Sequence, residues 1–331
     1  MLWVVLGHSP LNMDESMPQF AKIIFHIAYS FHMPLFILIS GYLFYLTRLY
    51  TRTEQLEEGK NRWSYKAIII DKLKRLGIPF IVFTLIAMAM KVMFPDDMAR
   101  STSFSIGEIV HAIIYPREGP LLEMWFVAVI MWMFVLTPVW EWSFKSGLRT
   151  ILVLIILLSL NLWTKYLPIG SFLCLRDTAK FGIYFYLGML ACKYGTDNVF
   201  KAYRYRILLI AAMCYVVCMV INFELGTALC GIAFSVCLAF VLDQHAPKSF
   251  SSFRSYTYQI FLIGIFAQIL IKMIYKRVSF MDIAIANPML IYVAFFLVCL
   301  VMGLYIPIIV SKIAEKTNWN PVLLSLGLKK K

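Results

Sequence analysis

Apolar runs recur along this chain at close to the length that crosses a bilayer, about 20 residues each, and they leave no room for a separate soluble domain. The spans read at 1–12, 20–46, 77–95, 120–142, 149–166, 179–193, 207–222, 225–243, 255–276 and 288–312. The expected fold class is therefore all-α: a polytopic transmembrane helical bundle of about ten helices, forming one integral membrane domain over residues 1–331. With 61% hydrophobic and only 15% charged residues, the chain does not have the composition of a soluble domain.

Basic residues are shared unevenly between the connections, and the unevenness sets an orientation. Of the 31 Lys and Arg, 21 fall in 48–75, 143–149, 193–206, 243–254 and the tail from Lys312, leaving ten for the alternate connections. By the positive-inside rule the 48–75 loop and both termini are expected to be cytoplasmic, in a multi-pass cell (cytoplasmic or inner) membrane protein. The net charge of +13 then reports topology and contact with anionic membrane lipid. It calls for no nucleic acid, because there is no basic soluble face to bind one. All seven cysteines lie in or beside apolar spans without a C-x-x-C pair, which reads as packing. The five histidines are scattered without ligand spacing, so no metal is expected.

The amino terminus is short for a span. Met1–His8 supplies about half the residues that a crossing helix needs, without the basic flank of a signal peptide. The expectation is a start placed too far downstream, so that the first helix is truncated at its N-terminus. Among the polar connections, 47–66 reads as a solvated cytoplasmic loop. On the opposite face, 96–119 carries Glu108, His111, Arg117 and Glu118 and leads into Glu123 and Trp125, which suits a lid over a polar cavity. An ordinary interfacial connection, with Trp125 as a belt anchor, is the alternative.

An imidazole stands against the apolar run Phe31-His32-Met33-Pro34-Leu35-Phe36-Ile37-Leu38-Ile39-Ser40-Gly41-Tyr42. An exposed charge is costly there, so the histidine needs a reason to be present. Pro34 disfavours helical backbone at Met33 and itself suits a first turn. The helix is therefore expected to start there, with His32 at or just before its N-terminus. His8 falls towards the C-terminal end of its own helix. Ser40 and Gly41 are small enough to permit close helix contact.

Val4-Val5-Leu6-Gly7-His8-Ser9, then Ser30-Phe31-His32-Met33-Pro34-Leu35-Phe36 and Ser40-Gly41-Tyr42-Leu43-Phe44 resemble the opening signature of membrane acyltransferase family 3 (acyltransferase-3). Within it they look closest to the fucose 4-O-acetylase-like branch, which modifies cell-surface or nodulation-factor sugars. Lys72-Leu73-Lys74-Arg75-Leu76-Gly77-Ile78-Pro79-Phe80 resembles the basic K-x-x-R-L-x-x-P start of the family's third helix. Met124-Trp125-Phe126-Val127 is similar to its L-W-F-L element, and Phe185-Tyr186-Leu187-Gly188-Met189-Leu190 to its F-x-L-G element. The resemblance implies an O-acyltransferase, transferring groups other than amino-acyl groups. It would carry an acetyl group from acetyl-CoA to a hydroxyl of a cell-surface or lipid-linked carbohydrate. By position it makes His8 and His32 the catalytic candidates and Arg75 the basic residue of the third helix. Near the ninth helix the family often reads I-Y-L-L-H, whereas this chain has Ile260-Phe261-Leu262-Ile263-Gly264, so no late-helix histidine is counted.

Acyl transfer needs a base for the acceptor hydroxyl and a donor for the oxyanion formed at the thioester carbonyl. Base character falls to His8 or His32, with the other as hydrogen-bond partner; a covalent acyl-histidine is a further route. Arg75, Lys72 and Lys74 are expected at the cytoplasmic end of the third helix, where CoA phosphates would meet them. Positive-inside topology explains them equally well, and Asp71 offers Arg75 a plain ion pair. Glu123, Trp125 and Arg176 are the candidate substrate contacts, with Asp177 and Lys180 on the same side. A structural ion pair between Arg176 and Asp177 is the plainer account of those two. The competing function is a transporter or flippase for a lipid-linked saccharide, with the histidines as proton-relay groups, although no paired halves are evident. The acceptor sugar and the oligomeric state are not legible in the residues.

Overall fold

The computed structural model describes residues 1–12, 15–50, 64–95, 103–247, 251–279 and 287–328, without the side chains of 48–50. Much of the 47–66 connection and the start of 96–119 lie outside the described residues. No strand occurs among those described, and the protein is a polytopic helical bundle. Among the described residues six helices are long and apolar enough to cross a membrane, and up to eight if each of two bent pairs is one span. The bent pairs are Leu122–Val135 with Thr137–Ser143, at 52°, and Thr196–Ala202 with Arg204–Val220, at 93°. The other two apolar runs of the sequence fall on Leu2–His8 and on Leu175–Lys193, whose first turns carry Arg176, Asp177 and Lys180.

Two helix starts differ from expectation. Pro34 does not open a helix; it lies inside the 26-residue helix Gln19–Phe44, so His32 sits about midway along and not at a positive helix end. In lipid every backbone group must bond within its own helix, and that demand overrides the local preference of proline for a first turn. The third span also begins earlier than residue 77. A continuous helical run covers Tyr65–Met93, started by Ser64, whose side chain accepts from the Ala67 N–H at 3.2 Å, and carried by the aliphatic run Ala67-Ile68-Ile69-Ile70. Lys72, Lys74 and Arg75 therefore lie inside this 29-residue helical run, ahead of its apolar part Ile78–Met93. Leu73–Gly77 is a π-helical turn.

The chain forms two compact units, Met1–His32 with Val241–Lys331, and Met33–Phe240. In the first unit the helices Thr257–Val278 and Pro288–Thr317 pack on each other and on Leu2–His8, with Val5, Ile260, Leu304 and Ile308 buried together. Small residues set the approach, as expected where lipid is as apolar as the core and packing drives association. A methyl on Gly264 would stand 2.8 Å from the Gly303 carbonyl oxygen. The position where the family often carries histidine is thus a backbone contact here.

In the second unit Leu175–Lys193 is the central helix and packs on Gly147–Trp163 and Trp125–Val135. Gly41 meets the Phe185 carbonyl and Gly188 meets the Leu38 carbonyl so closely that neither has room for a Cβ. The Ser-Gly-Tyr and Phe-Tyr-Leu-Gly elements are therefore two sides of one helix crossing. Around it Phe44, Phe134, Phe185, Trp140 and Tyr186 form an aromatic core. The Tyr186 hydroxyl donates to Ser143 Oγ at 3.0 Å, so its polar end is satisfied.

Candidate active site

The two sequence-derived histidines come together in the first unit. Leu2–His8 lies against Gln19–Phe44 through three successive contacts. Trp3 meets Phe31 edge-on at 5.1 Å. Gly7 lets the helix close on Ala28 and Tyr29, where a methyl would come within 3.1 Å of the Ala28 Cβ. His8, the last residue of its helix, then reaches Tyr29 and His32, with the two imidazole centroids 6.3 Å apart.

Hydrogen bonds orient both rings. His32 is 1% exposed and its Nδ1 lies 2.6 Å from the Ala28 carbonyl oxygen. A carbonyl only accepts, so Nδ1 carries the proton, and in the neutral ring Nε2 keeps its lone pair. His8 is half-buried, and the Tyr29 hydroxyl lies 3.1 Å from its Nδ1. The Tyr29 ring packs beside both imidazoles, 5.5 Å from His8 and 4.8 Å from His32, so the three rings form a triangle. Behind His8 the helix end is pinned. Buried Gln268 donates from Nε2 to the Val5 carbonyl at 2.9 Å and to Ser9 Oγ at 3.2 Å, and Ser9 Oγ donates to the same carbonyl at 2.7 Å. Such a cluster can hold and move a proton at a defined nitrogen.

Sequence reasoning missed Tyr29 and Gln268. Tyr29 lies one helical turn before His32 and so shares its face, a spacing that was readable. Gln268 is a polar residue inside an apolar span, which is itself a signal, but its partners are far away in sequence.

The basic candidates of the third span lie in the second unit. Arg75 is half-buried, and its Nε is buried without a hydrogen-bond partner. The expected pairing with Asp71 is not made, because the π turn replaces the i,i+4 register that would have stacked the two residues. Lys72 Nζ sits 4.2 Å above the Phe134 ring, and Lys74 is exposed.

Of the remaining candidates Arg176 reaches a polar cavity of about 570 Å³, also within the second unit. Arg176 lines it and donates to the Lys165 carbonyl at 3.3 Å. Asp177 pairs with Arg117 and not, as expected, with Arg176. Arg117 Nε donates to Asp177 Oδ2 at 3.0 Å and Nη2 bonds the other oxygen, since the bidentate fork fits from the turn that carries Arg117 onto the helix, while neighbouring residues on one helix point apart. The same guanidinium lies 3.9 Å above the Trp125 ring, which is buried. Glu123 is half-buried in the turn Leu122–Met124 and does not line the cavity. Among the described residues of the 96–119 connection, Arg117 alone lines the cavity. Glu118 lies nearby, bonded by the Ser171 hydroxyl and 3.5 Å from His111. At the cavity edge the backbone turns left-handed at Leu173 (φ 47°) and Cys174 (φ 55°), held by a bond from Trp132 Nε1 to the Leu173 carbonyl at 2.9 Å. Burial pushes the Cys174 thiol up to about 12, so it is no thiolate nucleophile near neutral pH.

No curated protein matches the chain. No solved structure matches it either. The sequence model of the family described as an acyltransferase domain matches residues 1–311, a stretch that takes in the histidine cluster, the π turn and the polar cavity. The chain therefore belongs to acyltransferase family 3 and is a multi-pass membrane acyltransferase.

Proposed function

We propose that the protein is an O-acetyltransferase that moves an acetyl group from acetyl-CoA to a hydroxyl of a cell-surface or lipid-linked carbohydrate. The observation that carries this reading is the pair of imidazoles in edge-to-face contact with Tyr29 packed beside both. His8, the more accessible of the two, is the general base. With Nδ1–H donating to the Tyr29 hydroxyl oxygen, its Nε2 takes the proton of the acceptor hydroxyl. The acceptor oxygen bonds to the acetyl carbonyl carbon, the carbon–sulfur bond breaks, and the imidazolium returns the proton to the CoA thiolate. His32, anchored on the Ala28 carbonyl, is the hydrogen-bond partner that completes the cluster.

Arg75 is the candidate contact for CoA phosphates, with Lys72 and Lys74 beside it. A buried guanidinium nitrogen without a partner supports an anionic ligand there, since leaving such a group unpaired in a membrane protein is costly. Arg176 is assigned to the acceptor, with Trp125 supporting Arg117 behind it, whereas Glu123 lies off that cavity and keeps no part in the reading. A cytosolic donor fits a cytoplasmic membrane with both termini inside, and the motif pattern favours the fucose 4-O-acetylase-like branch.

The test is transfer of label from acetyl-CoA to glycan in membranes containing the protein. His8→Ala and His32→Ala should each abolish incorporation while abundance and membrane insertion stay unchanged. Incorporation that survives both substitutions would sink the proposal. Movement of a lipid-linked saccharide across the bilayer without any label transfer would establish the transporter reading in its place.

A further inference from the structure

The polar cavity of the second unit carries more positive charge than it neutralises. Arg117, Lys165, Arg176 and Lys180 line it against two carboxylates, Asp177 and Glu224. Both acids are already engaged. Asp177 is held on both oxygens by Arg117. Glu224 is shared, with Lys165 Nζ at 3.0 Å from Oε1 and Lys180 Nζ at 3.0 Å from Oε2. Two lysines thus divide one carboxylate. Arg176 has no carboxylate partner among the described residues; its guanidinium makes one long bond to a backbone carbonyl. The surplus is two positive charges facing one space.

Other features of the cavity agree with an anion. Arg176 and Lys180 belong to the first turns of Leu175–Lys193, whose N-terminus adds its own positive partial charge. Tyr166 and Phe223, both exposed, line the same cavity and offer flat apolar faces to a sugar ring. The volume, about 570 Å³, lies in the range of ligand sites and is larger than a bare ion needs.

We infer that this cavity binds a saccharide through an acidic group, a carboxylate or a phosphate, held by Arg176 with Lys165 and Lys180. The inference rests on the reading of Arg176 as an acceptor contact and narrows the acceptor class to acidic or phosphorylated sugars. Glu224 then acts as a place-holder that keeps the two lysines positioned when no ligand is bound.

Calorimetric titration of the full chain in nanodiscs tests this, with glucose, glucuronate, glucose 1-phosphate and inorganic phosphate as probes. Glucuronate or glucose 1-phosphate should bind at least about tenfold tighter than glucose, and more weakly as salt rises. Arg176→Gln and Lys165→Gln should each loosen the acidic sugar several-fold while leaving glucose unchanged. Glu224→Gln, which frees two lysines, should tighten it; a purely structural role for the cluster predicts no gain. Equal binding of glucose and the acidic sugars overturns the inference, as do charge variants without effect. Inorganic phosphate binding as tightly as glucose 1-phosphate overturns the saccharide assignment in favour of a bare phosphate or lipid headgroup. The His8→Ala/His32→Ala double variant should still bind the acidic sugar. Binding without label transfer by the wild type would sink the acetyltransferase reading alone, and transfer only to neutral sugars would sink the cavity assignment alone.

Discussion

The hydroxyl of Tyr29 lies 3.1 Å from Nδ1 of His8. Tyr29→Phe keeps the ring that packs beside both imidazoles and removes the hydroxyl that meets His8. A general base whose ring is no longer held in one orientation and tautomer should lose turnover, by about fivefold for a bond worth about 1 kcal/mol. Thermal stability should move by less than about 1 kcal/mol, because the aromatic contacts remain. Steady-state rates of label transfer beside melting curves in detergent decide it, and an unchanged kcat would remove Tyr29 from the proton path.

Gln268 acts on the same histidine at a distance. Its amide is the tie between Thr257–Val278 and the end of Leu2–His8, through the Val5 carbonyl and Ser9 Oγ. Gln268→Leu leaves that carbonyl with the Ser9 hydroxyl as its one side-chain donor, at a cost of about 1–3 kcal/mol. Activity should fall further than stability, since His8 is the residue next to Ser9. Gly303→Ala probes the same tie from the third side, because a methyl there would stand 2.9 Å from Val5 Cγ1 and 3.0 Å from Gln268. Parallel losses in the two variants are the expected result, read as transfer rate per folded molecule.

At the glycine crossing the prediction is structural. Gly41→Ala and Gly188→Ala each push a methyl into the backbone of the facing helix, so separation of the helices should cost about 1–3 kcal/mol apiece. Gly147→Ala is the control. Nothing lies within 4 Å of a Cβ there, and the residue opens the helix Gly147–Trp163, so alanine should be neutral or stabilising. Melting temperatures of the three variants in one detergent give the comparison.

These residues also show what was legible in the sequence. Apolar length alone located the helices, because bilayer thickness is a fixed ruler, and the ten runs fall on helices of the fold. Histidines at 8 and 32 were readable as exceptions to apolar surroundings, and Gly41 as a close-contact residue. What failed was local preference. Pro34 looked like a helix start, yet lipid forces the helix to continue through it. The third span looked as if it began at residue 77, yet Ala67-Ile68-Ile69-Ile70 extends the helix back to Tyr65, ahead of the basic cluster at 72–75. Pairings were the least legible: Asp71 with Arg75 is excluded by a π turn that no residue type announces, and Asp177 finds Arg117 sixty positions away.

Arg75 and Arg117 give the sharpest contrast between a charge held for a ligand and a charge held for the fold. Arg75 makes no ion pair among the described residues, and its Nε is buried and unbonded. Arg75→Gln therefore removes a cost and breaks nothing, and stability should hold or rise. If Arg75 meets a phosphate of CoA, the KM for acetyl-CoA should rise about tenfold or more while kcat changes little, since a phosphate far from the thioester contributes binding in ground and transition states alike. Arg117→Gln acts in the opposite way. It strands Asp177, whose side chain is only 15% exposed, and uncovers Trp125, so stability should fall by about 1–3 kcal/mol. The KM for acetyl-CoA should stay where it was. Melting curves together with acetyl-CoA titrations of both variants separate the roles, and a stability loss in Arg75→Gln with an unchanged KM would make Arg75 a structural residue and leave the donor site elsewhere.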